Sequence, residues 1–189
     1  MDKLVNDYLE QWRKFRSTKF GFVGIFFSKL RVTANTMTFI SLIFGILAVY
    51  FLFQNYYFFV LFALLHLLVD GLDGTIARAT TETNFGKYFD HAVDSLVVFL
   101  ILIKIGFVFS DYYPFLVVGL FFMAQLAYFS SKLTAPIMMT RTISLILLLL
   151  YIPELLTFTE FIPVLVYLLA GMTSLFSLAR QLQWWMQKS

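Results

Sequence analysis

Four aspartates stand close together in an otherwise apolar sequence, in the stretch DGLDGTIARATTETNFGKYFDHAVD that begins at Asp70. Asp70 and Asp73 are three residues apart, so a helix places them on one face. Asp90 and Asp94 are four residues apart and share a helix face in the same way. Apolar runs border the stretch on both sides, and a carboxylate at membrane depth is costly, which predicts that the four line a polar site.

The chemistry that suits such a site is the binding of a hard divalent cation. Converging carboxylates repel one another unless cations balance their charge. The chain has no cysteine and two histidines, and a ligand set made of oxygen favours Mg²⁺ or Mn²⁺. Such an ion commonly holds phosphate oxygens, so a phosphorylated substrate is expected.

The composition predicts that helices in a membrane position these aspartates. The 189 residues are 60% hydrophobic, 20% aromatic and 13% charged, against about 25% charged in soluble domains. We therefore expect an all-α, polytopic integral membrane protein. The first sixteen residues contain charges and no apolar run, so they do not predict a secretory signal peptide.

Six apolar segments approach the length of about 20 residues that a membrane-spanning helix needs. We predict six transmembrane helices in a catalytic domain at 33–189, preceded at 1–32 by a basic, amphipathic juxtamembrane helix in the membrane interface. The predicted spans are 33–53, 56–78, 86–109, 112–132, 140–152 with a short extension at each end, and 158–179.

The positions of the basic residues predict the orientation. Residues 1–32 hold seven of the fourteen Lys and Arg. Together with the second-to-third loop, the fourth-to-fifth loop and the C-terminus, they hold thirteen of the fourteen. By the positive-inside rule both termini are cytoplasmic, and the aspartate site opens to the cytoplasmic side of the cell membrane.

Eight positions in fixed order carry a resemblance to a known family. They resemble the signature of the CDP-alcohol phosphotransferase family, with the loop before Gly86 one residue shorter than usual. The eight positions are Asp70, Asp73, Gly74, Ala77, Arg78, Gly86, Asp90 and Asp94.

The resemblance implies a role for each of these residues. The first three aspartates would bind two Mg²⁺ or Mn²⁺ ions. Asp94 would be the catalytic general base and a further metal ligand. The cytidine diphosphate group would be held by Asp73, Gly74, Ala77, Arg78 and Gly86.

The implied activity is that of a transferase of substituted phosphate groups in phospholipid synthesis. It would move a phosphatidyl-type group from a CDP-linked lipid, CDP-diacylglycerol or its ether analogue, to the hydroxyl of a small alcohol and release CMP. The expected partners are that substrate, membrane lipid and a second copy of the chain in a homodimer. No nucleic acid is expected among them.

Other activities stay open at this point. The chain could move a phospho-amino-alcohol from a CDP-alcohol to diacylglycerol, as choline and ethanolamine phosphotransferases do. Paired acids within spans also serve ion-coupled transporters. Membrane prenyltransferases hold Mg²⁺-diphosphate with two aspartate motifs, but those motifs lie far apart in a longer chain.

Four further residues are candidates for the substrate pocket. The stretch RVTANTMTFISL is similar to the beginning of the first span in the family, which implies that Asn35 and Thr38 face the site. An N-cap role explains Asn35 equally well. His91 either touches substrate or packs, and Arg141 either faces the acceptor alcohol or follows the positive-inside rule.

Overall fold

The computed structural model describes residues 32–79, 83–138, 140–151 and 161–188. Within these residues it contains helices and no strand, which confirms the all-α prediction. The amphipathic helix predicted for residues 1–32 lies outside the described residues, apart from Val32. The helices are α1 (Ala34–Phe51), α2 (Tyr56–Ala79), α3 (Asn84–Phe109), α4 (Tyr113–Ser130), α5 (Thr140–Leu149) and α6 (Phe161–Lys188).

Five of the described helices are long and apolar enough to cross a membrane, with 18 to 28 residues each. The sixth, α5, has 10 residues. It is about 15 Å long at 1.5 Å per residue, half of the roughly 30 Å hydrocarbon layer. The prediction of six full spans is therefore not confirmed, and the continuation predicted through Ile152 lies outside the described residues.

Helix α6 is longer than the apolar pattern predicted. The prediction ended near residue 179, whereas α6 continues to Lys188. Its last turns contain Arg, Gln, Met and Lys, which favour helix without being part of an apolar run. Apolar length predicts the apolar part of a helix and misses a more polar continuation of the same helix.

Threonines begin the two helices that flank the site. The Thr33 hydroxyl accepts a hydrogen bond from the Thr36 amide at 3.2 Å and caps α1. The Thr83 hydroxyl accepts one from the Gly86 amide at 3.0 Å and caps α3. Each cap satisfies one of the amides that have no partner in the first turn of a helix.

The bundle is arranged so that α1 and α5 connect α2 with α3. Helix α1 packs on both α2 and α3, and α5 also contacts both. Gly45 allows the close approach of α1, since a Cβ there would lie 2.7 Å from Val97 Cγ2 on α3. Helices α4 and α6 pack on each other, with α4 also against α3 and α6 against α5.

Helix lengths bring the two acidic pairs to matching depths. Asp73 lies six residues before the end of α2, and Asp90 lies six residues after the start of α3. At 1.5 Å per residue both are about 9 Å from the short connection between the helices. Asp70 and Asp94 are nine and ten residues from it, about 14 Å and 15 Å. The connection therefore sets the register of the site.

At the opposite end of the bundle, a lysine satisfies the last turn of α1. Lys104 Nζ on α3 donates to the carbonyls of Val49 at 2.7 Å and Tyr50 at 2.6 Å. The final carbonyls of a helix lack partners within it, and the helix dipole favours a cation there. This contact explains how a charged residue is accommodated within a long apolar helix.

Candidate metal and nucleotide site

Three of the predicted metal ligands form one cluster. Asp70 on α2 and Asp90 and Asp94 on α3 each offer a carboxylate oxygen, and these oxygens lie within 4.8 Å of one another. All three residues are partly buried. The structure therefore joins acids that are separated by up to 24 residues in the sequence.

Arg141, at the start of α5, contacts this cluster. Its Nη1 donates to Asp70 Oδ1 and its Nη2 to Asp70 Oδ2, both at 2.6 Å. Nη1 also donates to Asp94 Oδ1. The Arg141 side chain is 11% exposed, and a guanidinium bound through two nitrogens is both oriented and strongly attracted. One arginine thereby ties α2, α3 and α5 together at the level of the acids.

The fourth predicted ligand, Asp73, is held separately. It is 5% exposed, and its Oδ2 accepts a hydrogen bond from the Thr38 hydroxyl on α1 at 2.6 Å. Thr38, a predicted pocket residue, is 3% exposed. Asp73 is not part of the 4.8 Å cluster, and its described hydrogen bond ties α2 to α1.

The predicted nucleotide-binding residues of α2 lie in its last two turns. Arg78 is exposed, and its Nη2 lies 3.4 Å from the Thr75 hydroxyl. A Cβ on Gly74 would lie 3.5 Å from Arg78 Nη1, so the guanidinium folds back beside this glycine. Ala77 is partly exposed on the same end of the helix. These residues form a small-residue surface with a cation at its edge.

Gly86 lies where the beginnings of α1 and α3 meet. A Cβ at this position would lie 2.9 Å from Asn35 Oδ1 and 3.0 Å from Thr83 Oγ1, closer than side chains normally approach. The structure thus gives Gly86 a packing reason beside the predicted nucleotide contact. It also places Asn35, a predicted pocket residue, against α3.

His91 is hydrogen-bonded to α4. Its Nε2 lies 2.7 Å from Gln125 Oε1, and its ring meets Tyr128 edge-on with centroids 4.6 Å apart. The predicted contact of His91 with substrate stays a prediction. Gln125 was not singled out from the sequence, although an amide in the apolar run LFFMAQLAYF is a signal of helix–helix hydrogen bonding.

A buried histidine and serine form a second polar pair that the motif does not include. His66, one turn before Asp70 on α2, is fully buried. Its Nδ1 lies 2.9 Å from the Ser41 carbonyl and 2.8 Å from the Ser41 hydroxyl. A carbonyl only accepts, so the neutral ring that fits this contact carries its proton on Nδ1. The pair joins α1 to α2 one turn deeper than Asp70.

The chemistry of the donor set fits a divalent metal ion. The clustered ligand atoms are all carboxylate oxygens, the kind that Mg²⁺ and Mn²⁺ take in proteins. Asp70, Asp90 and Asp94 carry three formal negative charges, and Arg141 supplies one positive charge against them. The remaining repulsion between the carboxylates favours the binding of a further cation.

Comparison with known families identifies the kind of protein. A family model described as CDP-alcohol phosphatidyltransferase matches residues 31–186, which is 156 of the 189 residues. The chain belongs to the CDP-alcohol phosphatidyltransferase family. A comparison with curated proteins found no match.

The match extends over α1 to α5 and nearly all of α6, so it includes every site residue described above. Members of the CDP-alcohol phosphatidyltransferase family transfer phosphatidyl groups from CDP-linked donors in the synthesis of phospholipids, and they typically use a divalent metal. The membership confirms the resemblance seen in the motif. The roles of individual residues stay predictions.

The position of Arg141 leads to a prediction about metal binding. An ion coordinated at about 2.1 Å by oxygens of Asp70 and Asp94 would share those oxygens with the Arg141 guanidinium and would be repelled by its positive charge. Metal and guanidinium therefore compete. We expect Arg141→Met to bind Mn²⁺ about tenfold more tightly than the unchanged chain, equivalent to about 1.4 kcal/mol of competition. Titration of free Mn²⁺ followed by electron paramagnetic resonance measures this affinity.

Two further variants distinguish the effect of the guanidinium–carboxylate contact from the effect of losing one positive charge. Arg141→Lys keeps the charge but loses the bidentate contact. Its Mn²⁺ affinity should therefore lie between those of the unchanged chain and Arg141→Met. Lys132→Gln removes a charge from the exposed connection after α4 and should leave the Mn²⁺ affinity near its original value. Equal or weaker Mn²⁺ binding by folded Arg141→Met would contradict the competition.

Proposed function

We propose that this chain transfers a phosphatidyl-type group from CDP-diacylglycerol, or its ether analogue, to the hydroxyl of a small alcohol and releases CMP. The observation that carries the proposal is the cluster of Asp70, Asp90 and Asp94 oxygens within 4.8 Å, in a chain of this family. Such a cluster, beside an exposed arginine and small residues, suits a metal-bound diphosphate with a nucleoside attached.

The residues divide into a metal group and a nucleotide group. The four aspartates would hold one or two Mg²⁺ or Mn²⁺ ions, which when bound neutralise phosphate charge in an in-line displacement. Arg78, exposed at the end of α2, would pair with a phosphate of the CDP group. Gly74 has no side chain and Ala77 has only a methyl group, so the nucleotide can approach the backbone of α2 closely.

Asp94 is proposed as the general base. The alcohol oxygen forms a bond to the phosphorus that carries the lipid, and the bond from that phosphorus to the CMP oxygen breaks. The proton of the alcohol passes to the Asp94 carboxylate. Arg141 contacts Asp94 in the structure, which supports a position for this cation beside the approaching acceptor alcohol.

The remaining proposals concern surroundings and assembly. We infer from the charge distribution that the site opens to the cytoplasmic face of the cell membrane and that both termini are cytoplasmic.

A homodimer is inferred from the family alone. Native mass spectrometry of the detergent-solubilised protein tests it, since a monomer at all concentrations would exclude it.

We expect the purified chain with Mn²⁺ to release CMP from CDP-diacylglycerol when a suitable alcohol from a panel is present. Asp94→Asn cannot accept the proton, so its rate should fall about 100-fold or more. Release of CMP, quantified by chromatography, is the measurement. Faster turnover of a CDP-amino alcohol with diacylglycerol would assign the donor to the alternative class.

Asp111→Asn is the matched control, because Asp111 accepts from the Tyr113 amide at 3.0 Å at the other end of α3. It should keep the original rate. Unchanged CMP release by Asp94→Asn would remove Asp94 from the role of base. No release from any CDP donor by the folded, metal-loaded protein would overturn the proposed activity.

The orientation can be tested by labelling, because the chain contains no cysteine. We expect Glu82→Cys, in the connection between α2 and α3, to react with a membrane-impermeant maleimide in inside-out vesicles only. Asp111→Cys, between α3 and α4, should react in right-side-out vesicles only. The reverse pattern would place the site on the outer face.

A further inference from the structure

Asp73 is the most buried of the four acids and has a hydrogen-bond partner of its own. It is 5% exposed, whereas the side chains of Asp70 and Asp94 are 17% and 27% exposed. Val69, four residues earlier, and Ile76, three residues later, share its face of α2 and belong to a buried apolar cluster with Met37. A carboxylate in such surroundings is costly unless a donor satisfies it.

Thr38 is that donor. Its hydroxyl lies 2.6 Å from Asp73 Oδ2 and 3.1 Å from the carbonyl of Ala34, one turn earlier on α1. A hydroxyl has a single proton, and a charged oxygen attracts it more strongly than a carbonyl does. The shorter distance is typical of a bond from a hydroxyl to a carboxylate. The Thr38 hydroxyl therefore donates its proton to Asp73.

The hydrogen bond from Thr38 to Asp73 lies where it can affect metal binding. Helix α1 packs on both α2 and α3, and Thr38 reaches Asp73 from α1. Arg141 reaches Asp70 and Asp94 from α5, so the two bonds hold the acidic helices from different neighbours. Hydrogen bonds that orient metal-binding carboxylates commonly change metal affinity by about 10- to 100-fold when they are removed.

We propose that Thr38 is a positioning residue for the metal site. Its hydroxyl holds Asp73 Oδ2 and so fixes the orientation in which Asp73 would offer its other oxygen, Oδ1, to a divalent ion at the site of Asp70, Asp90 and Asp94. The described hydrogen bonds of the Thr38 hydroxyl are to Asp73 and to the Ala34 carbonyl. This inference rests on the proposed function, since it assumes that the four aspartates bind Mg²⁺ or Mn²⁺.

The test compares two substitutions of Thr38 in the full chain, reconstituted in lipid nanodiscs. Thr38→Val keeps the shape and loses the hydroxyl, whereas Thr38→Ser keeps the hydroxyl. We expect Thr38→Val to weaken Mn²⁺ binding about 10- to 100-fold and Thr38→Ser to stay within about twofold of the original. In the CMP-release assay, the Mn²⁺ concentration for half-maximal rate should rise for Thr38→Val, with most of the rate recovered at saturating Mn²⁺.

Ser174→Ala is the control for losing a buried hydroxyl elsewhere in the bundle. Ser174 is 2% exposed and donates to the Ala170 carbonyl at 2.6 Å within α6. This variant should leave the Mn²⁺ affinity unchanged, even if its thermal stability falls. If Thr38→Val does not fold, as judged by helical circular dichroism, Thr38→Ala replaces it in the test. Alanine also lacks the hydroxyl and has a smaller side chain than valine.

The outcomes separate this inference from the proposed function. If the unchanged chain binds no Mn²⁺, the proposed metal site fails and the role of Thr38 fails with it. If the unchanged chain binds Mn²⁺ and Thr38→Val binds it equally well, only the positioning role is overturned. Equal weakening in Thr38→Val and Thr38→Ser also overturns it, because packing rather than the hydroxyl would then be responsible.

Discussion

Repulsion among carboxylates that are held between apolar helices is the constraint on which the site depends. Asp70, Asp90 and Asp94 bring oxygens within 4.8 Å of one another, and charges in such surroundings are weakly screened. The fold meets this constraint with Arg141, which binds two of the three, and with Thr38, which binds the fourth acid, Asp73. Each bond comes from a helix other than the two that carry the acids.

This arrangement gives α1 and α5 a role beyond packing. Both helices contact α2 and α3, and each contributes one polar side chain at the level of the acids. The short helix α5 begins with Thr140, so Arg141 lies in its first turn. The positions of the aspartates therefore depend on the packing of all four helices.

Much of the fold and the central motif could be predicted from the sequence because both are local in the chain. Apolar length located the long helices, and spacings of three and four residues placed the acids on shared faces. The count of six spans is not confirmed, because α5 has 10 described helical residues and residues 152–160 lie outside the described part of the chain. The partners of Arg141, Thr38 and His91 could not be predicted, since they lie 34 to 71 residues away and no periodicity encodes such pairs.

The packing role of Gly86 illustrates the same limit. The motif assigned Gly86 to the nucleotide, whereas the structure adds a second neighbour: a Cβ there would lie 2.9 Å from Oδ1 of Asn35, 51 residues earlier, and would require that side chain to move. One residue can serve both the approach of α1 to α3 and the approach of a ligand. The sequence shows that a small residue is present at this position. The packing of α1 against it is known only from the structure.

The most direct measurement of the central claim is ³¹P electron–nuclear double resonance of Mn²⁺ bound to the protein in the presence of CDP. If the aspartates hold a metal that binds the diphosphate, bound Mn²⁺ shows a ³¹P hyperfine coupling of direct coordination, and the coupling disappears in Asp70→Asn. Bound Mn²⁺ without phosphorus coupling at saturating CDP would contradict a metal site built for a CDP-linked substrate.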